Sequence, residues 1–420
     1  MLEGLPHVGG IIAGDDEERV VRTLRMLRDT VDERAVRYNA INAGTVSEYR
    51  ALGKAPDEPR IILLVDGIGV FRDQYEFGAA HLTPWFTAFA QIAADGRAVG
   101  VHVVVSGDRP SSLPTSIAST IQRRVVLRLA SEYDYLMLGV PRDILSPASP
   151  SGRGILDGNE VQLAILGDSG NVAVQAREMQ RLAATLGRST GTRPMVVRRL
   201  PDHVSLAYLP AGSASTPVIG VDDVTLEAAT LAARGPLLLA GPPGSGRTTA
   251  IATIAAGLAR SSPGVRRVLL SPRRSILTHR EWDERAEGMD SVAATIGQLT
   301  SSIEAGSAEQ LAIFIEALPD FTGSEVEYDL DRLVKIAIRQ DCFVVGEGET
   351  STWSQAYTLA QPFKAGRRGL LLAPGEMDGD MLLGTPLGRL RRSDFPPGRG
   401  FLITAGRASK IQVAEDSGMS

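Results

Sequence analysis

The chain carries Gly-Pro-Pro-Gly-Ser-Gly-Arg-Thr-Thr at residues 241–249. Gly241, Gly244 and Gly246 let the backbone turn tightly and aim its N–H groups inward, an arrangement that collects an anion. The residues from Thr248 onward read as a helix, whose N-terminus adds partial positive charge at the same place. This is the spacing of a nucleotide phosphate loop, G-x-x-x-x-G-[K]-[ST], and it puts a hydroxyl, Thr248, where Mg2+ would be held. Pro242, Pro243 and Ser245 fill the variable places, and Thr249 continues into the helix. The chemistry expected of Gly241 through Thr249 is therefore binding of ATP with Mg2+. A bare glycine–proline turn before a helix is the competing reading; the complete spacing, with an apolar strand ahead and a helix behind, favours the loop.

Arg247 stands where lysine belongs. Lysine delivers a compact charge between the β- and γ-phosphates, whereas guanidinium is a planar, larger fork. It still neutralises phosphate, so binding survives the exchange. Transfer of a phosphoryl group depends on positioning, so slow or absent turnover is expected.

Hydrolysis also needs an apolar strand ending in an acid that orders Mg2+, followed by a base for the attacking water. Ile61-ILLVDGIG offers Asp66, but Gly67 occupies the base position and cannot accept a proton. Leu311-AIFIEALPD offers Glu316, with Ala317 next. Glu316 either reaches magnesium through a water or is a solvated acid at a strand end. Asp320 lies past a turn at Pro319 and is a poorer candidate. No loop of the required frame precedes residue 61, so the first half is either a fragment opening mid-domain, which points to truncation, or a relic without a cradle. Gly167-DSGN and Gly346-EGETS lack the spacing and are set aside.

These groups need a scaffold of strands and helices. Helices are expected over residues 15–41, 85–94 and 248–259. Strands are expected over 60–66, 101–110, 121–130 and 162–166 in the first half. In the second they fall over 236–240, 265–271, 311–316, 342–346, 369–373 and 400–405. A loop rich in proline, serine and glycine spans 141–154, and residues 187–217 read as the connector. Short apolar strands alternating with helices argue for α/β architecture with mainly parallel sheets and helices on both faces. The pattern occurs in two similar halves, a coarse repeat of roughly two hundred residues.

Composition bounds the rest. With 43% apolar and 22% charged residues in 420, the chain is an ordinary globular protein with room for two or three domains. No apolar run approaches the ~20 residues of a membrane span, and no signal-peptide pattern follows Met1. The single Cys342 excludes an internal disulfide framework and implies a reducing compartment. A net charge of −5 gives no general drive toward nucleic acid. Nearly all positive charge is arginine, so single arginines carry little information.

Several segments resemble FtsK/SpoIIIE-type P-loop ATPases, and most of all the C-terminal ATPase domains of the type VII secretion motor EccC. LPHVGGIIAGDDEERVVRTLRML (5–27) and VSEYR (46–50) look like the approach to the acidic strand, which PRIILLVD (59–66) then matches. HVVVSGDRPSS (102–112) is similar to the sensor strand, while IQRRVVLRLAS (121–131) and SGRGIL (151–156) are similar to the segment that closes each such domain. VIGVDD (218–223), GLLLAPGEMDGDMLLG (369–384) and PPGRGFLI (396–403) resemble the last EccC domain.

The resemblance implies two RecA-like domains, residues 1–195 and 196–420, the first lacking its phosphate loop. It places Gly241, Gly246, Arg247 and Thr248 on that loop, Asp66 and Glu316 on the acidic strands as catalytic or magnesium-ordering groups, and Arg109 near the sensor. It also points to an arginine finger from Arg123, Arg124 or Arg128, with Arg124 the choice. Implied partners are other ATPase domains or subunits of a hexameric ring and secreted helical hairpins bearing a C-terminal signal, received in an apolar pocket near the loop. The chain would be cytoplasmic, without membrane contact of its own and tethered to the inner membrane through regions or partners outside it. Two alternatives stand beside this: a DNA translocase binding double-stranded DNA, and a non-catalytic regulatory scaffold.

Overall fold

The computed structural model describes residues 2–53, 55–141, 144–146, 148–187, 194–306 and 310–416. The chain divides into two compact units, Met1–Arg199 and Leu200–Ser420.

In the first unit Asp16 caps helix α1 (Glu17–Asn39) by accepting the Arg19 amide at 3.3 Å. Leu24, Leu27, Val31 and Tyr38 recur at helical spacing and bury one stripe. Helix α2 (Val46–Ala51) leads to strand β1 (Ile61–Val65), then helices α3 (Ile68–Tyr75) and α4 (Thr83–Asp95) and strand β2 (Val101–Val105). The strands pair in parallel, Ile61 with Val101 through Val65 with Val105. Ile61, Leu63, Val65, Val103 and Val105 pack into a core with α1 and α4.

Buried Arg34 ties α1 to the start of both strands. It donates to the carbonyls of Pro59 at 2.9 Å and Val99 at 3.0 Å, and pairs with buried Glu58 at 3.0 Å. Arg34→Met is expected to destabilise this unit by about 3 kcal/mol, because it leaves two carbonyls and a buried carboxylate short of partners. Denaturant unfolding followed by a probe in this unit checks the figure; an unchanged midpoint would contradict it.

Helix α5 (Thr115–Ala118), strand β3 (Val125–Leu127), helix α6 (Glu132–Met137), strands β4 (Arg153–Leu156) and β5 (Asn159–Gln162), and helix α7 (Val172–Leu186) complete the unit. The order β3-β4-β5 is antiparallel. The strand expected over 162–166 is corrected: β5 ends at Gln162. Asp157 and Gly158 both adopt positive φ, a tight hairpin turn that pairs 159–162 back onto 153–156. Part of the expected loop 141–154, and residues 188–193 of the expected connector, lie outside the described residues.

The second unit is built on one sheet. Its elements are β6 (Gly212–Ser213), β7 (Thr216–Asp222), β8 (Ala228–Thr230), β9 (Gly235–Gly241), α8 (Arg247–Ser261), β10 (Arg266–Ser271), β11 (Glu284–Glu287) and α9 (Met289–Glu304). There follow β12 (Leu311–Ile315), α10 (Glu327–Arg339), β13 (Phe343–Glu349), α11 (Tyr357–Ala365), β14 (Arg368–Leu372), α12 (Asp378–Leu383), β15 (Arg399–Thr404) and β16 (Arg407–Val413). The strand order is β11-β10-β12-β13-β9-β14-β15-β16-β7-β6, with β8 on β7. From β11 to β14 all neighbours are parallel; from β14 onward they are antiparallel.

The inner strands are apolar almost throughout because both faces are covered. Ile313 and Ile315 pack with Leu330, Val334 and Trp353 on one side, and Ala312 and Phe314 with Ile251, Ile254 and Leu258 of α8 on the other. Helix α8 approaches β7 so closely that a Cβ on Gly257 would fall 2.6 Å from the Val218 carbonyl.

Candidate nucleotide-binding loop

The loop leaves buried β9 and ends at Gly246, which adopts φ +96° and precedes the first residue of α8. Gly244 also has positive φ, and a Cβ there would meet nothing within 4 Å, so the crest of the loop faces open space. The first intrahelical donor is the Ala250 amide, bonded to the Gly246 carbonyl at 2.9 Å. The amides of Arg247, Thr248 and Thr249 precede it and belong to the first turn, the group that a helix leaves for anions. The loop residues thus fit a polyphosphate. Ser245 is buried, and Gly398 donates its amide to the Ser245 carbonyl at 2.8 Å, so residues 397–398 brace the loop from behind.

Arg247 is engaged by the protein itself. Its Nε lies 2.6 Å from Glu347 Oε1, and its Nη1 donates to the Gly241 carbonyl. Glu347 sits near the end of β13, only 5% exposed, and its other oxygen accepts the Ala317 amide at 2.8 Å. Burial pushes the Glu347 carboxyl above its ordinary range; the Ala317 amide and Arg247 pull the other way, and Glu316 adds to the rise. Glu347 lies in Gly346-EGETS, which lacks the spacing of a phosphate loop and carries no candidate on that ground. The signal was present: Phe343-VVGE is an apolar strand ending in an acid, the rule that found Asp66 and Glu316.

Glu316 follows β12, one strand away from β9, with β13 between them. Its Oε2 accepts the hydroxyls of Ser271 at 2.8 Å and Ser275 at 2.7 Å. Ala317 holds a left-handed backbone at the place of a base, and Asp320 pairs with Arg273. A cavity of about 650 Å3 in this unit, lined by Leu258, Leu299, Ile303, Leu311 and Phe343 among others, opens at the amino ends of the strands, away from the loop.

The first unit can be laid on the second by register. Leu64 pairs with Val104 as Phe314 pairs with Val345, so Asp66 takes the place of Glu316 and Ser106 that of Glu347. Asp66 accepts the Ser106 hydroxyl, and Ser106 Oγ accepts the Gly67 amide at 2.9 Å. Phe314 and Val345 are fully buried in the α8 core. Their counterparts Leu64 and Val104 are 62% and 52% exposed, and among the described residues β1 and β2 pair only with each other. Arg124 donates to the Ala118 carbonyl at 3.0 Å, and Arg109 opens the short turn Pro110–Ser112.

A strand, glycine loop and helix on an α/β sheet, with the acidic strand one place removed, is the arrangement of a P-loop ATPase domain, and a link to the FtsK/SpoIIIE type is consistent with it. The homologues of the chain are EccC ATPases of type VII secretion. It is 26% identical to ESX-5 secretion system protein EccC5 of Mycobacterium marinum over 479 aligned positions, covering 98% of this chain and 34% of that protein. With ESX-1 secretion system protein EccCb1 of Mycolicibacterium smegmatis it shares 26% identity over 300 positions, covering 65% of this chain and 48% of that one. It therefore spans only about a third to a half of these relatives.

In fold it is similar to ATPases 2 and 3 of Thermomonospora curvata EccC, solved in complex with a signal sequence peptide. The TM-score is 0.73 at 21% identity, covering 99% of this chain and 80% of that one. ATPases 2 and 3 of EssC from Geobacillus thermodenitrificans give 0.74 at 18% identity, covering 99% and 82%. No family profile matches the chain. No described helix is long and apolar enough to cross a membrane.

Proposed function

We propose that the chain is an EccC-like module whose second unit binds nucleotide with Mg2+ at Gly241–Thr249, turns it over weakly or not at all, and serves substrate recognition and translocation in a type VII secretion motor. The carrying observation is the loop itself: left-handed glycines, an open crest and unspent first-turn amides of α8 at the end of a buried strand. Thr248 is the hydroxyl for Mg2+, and Glu316 would reach the ion through water. Magnesium would screen the charge of the phosphates. The chain's own groups bind and orient: amides cradle the α- and β-phosphates, and Glu316 is already held by two serine hydroxyls.

Weak turnover follows from the same place. Ala317 and Gly67 cannot take a proton from water, and Arg247 is tied to Glu347 rather than free to follow the transferring phosphate. Other ATPase domains in a ring, secreted helical substrates, and an inner-membrane tether outside this chain are the partners of this reading.

Calorimetric titration with MgATP, alongside a phosphate-release assay, tests it. Micromolar binding with little release is expected. Thr248→Ala should weaken Mg2+-dependent binding about tenfold and leave metal-free binding unchanged. If the chain binds no nucleotide, the proposal fails.

A further inference from the structure

In an ordinary phosphate loop the basic side chain after the last glycine reaches the β- and γ-phosphates. Here that side chain is occupied. Arg247 Nε is paired with Glu347 Oε1 at 2.6 Å, and its Nη1 is turned onto the Gly241 carbonyl, at the root of the loop. The pair is well buried, with side-chain exposures of 22% and 7%. Glu347 is fixed in turn by the Ala317 amide, which joins the ends of β12 and β13.

Consider what each phosphate meets. The α- and β-phosphates lean on backbone amides, which the ion pair does not touch. Beside the Mg2+ that Thr248 would hold, a γ-phosphate calls for a protein cation, and the one within the loop, Arg247, is paired with Glu347. Arg247 can swing to the place of the usual lysine only by leaving that carboxylate, buried, in the neighbourhood of Glu316. Breaking a buried pair is costly, and two carboxylates beside a third anion repel it. The first unit makes the contrast: at the matching position β2 is followed by Ser106, a neutral residue with no charge to oppose a phosphate.

We propose that Glu347 is a positioning residue that holds Arg247 back from the γ-phosphate, so that the loop selects nucleoside diphosphates over triphosphates. This rests on the nucleotide-binding reading of Gly241–Thr249 and narrows it to a ligand class.

The test is titration of the full chain with ADP and with ATP, each with Mg2+, for wild type, Glu347→Gln, and Glu347→Gln combined with Arg247→Ala. Wild type should bind ADP at least as tightly as ATP. Glutamine keeps an oxygen for the Ala317 amide but loses the charge, so Glu347→Gln should tighten ATP about tenfold and change ADP less than about threefold. Most of that gain should vanish in the double variant.

A Glu347→Gln protein that melts like wild type yet keeps the wild-type ATP-to-ADP ratio, or loses ATP affinity, overturns the proposal. So does a wild-type chain that itself prefers ATP, whatever the variant's folding. A chain that binds neither nucleotide, as wild type or as Glu347→Gln, removes instead the reading on which the proposal rests.

Discussion

Gly246→Ala is expected to abolish nucleotide binding, with affinity falling about a hundredfold or more, and to lower the stability of the second unit by about 1–3 kcal/mol. Two effects coincide there. Gly246 holds φ +96°, which costs any residue with a side chain, and its Cβ would fall 2.9 Å from the amide of Gly398. That amide is bonded to the Ser245 carbonyl, so it cannot retreat without releasing the loop. Gly244→Ala is the control: it carries the same kind of backbone strain at φ +77° but projects into open space, so it should retain binding within about tenfold. Titration of both variants, with thermal unfolding alongside, separates strain from collision. Equal losses in the two would show that the brace behind the loop is irrelevant.

Arg399→Met should destabilise the second unit by about 3 kcal/mol, because it removes the donor of buried acceptors. Arg399 is 5% exposed and donates to the carbonyls of Leu200 at 2.8 Å and Pro201 at 2.9 Å, to Gln412 Oε1 at 3.2 Å and to Asp202 Oδ1 at 3.0 Å. Methionine fills the volume but strands the buried Leu200 carbonyl and Gln412 side-chain oxygen. Gln412 also donates to the Pro397 carbonyl at 2.9 Å, so the damage reaches the segment that braces Ser245. Denaturant unfolding should show the lost stability, and nucleotide affinity should fall with it. A variant as stable as wild type would mean these carbonyls find other partners.

Arg399 illustrates why parts of this protein were hidden from a linear reading. It appears in Pro396-PGRGFLI as one arginine among many, and its partners lie at residues 200–202 and 412. Arg34 is hidden for the same reason: its partners, at 58–59 and at 99, come from two stretches remote from it. The helices and parallel strands, by contrast, were legible because apolar periodicity is written in neighbouring residues. The strand expected at 162–166 failed where a two-residue hairpin turn, Asp157-Gly158, went unread.

What the chain determined in its own order is the phosphate loop and its flanks. Turn, cap and helix start lie within nine consecutive residues, and their geometry follows from local backbone preferences. The same linear reading found the departures, Arg247, Ala317 and Gly67. Only the tertiary structure decided what Arg247 does. Strand β13 is inserted between β9 and β12, which carries Glu347, distant by a hundred positions, to within 2.6 Å of the arginine. A charge in a loop is set by its neighbours in space, and the order of strands in a sheet, a product of non-local packing, chooses those neighbours.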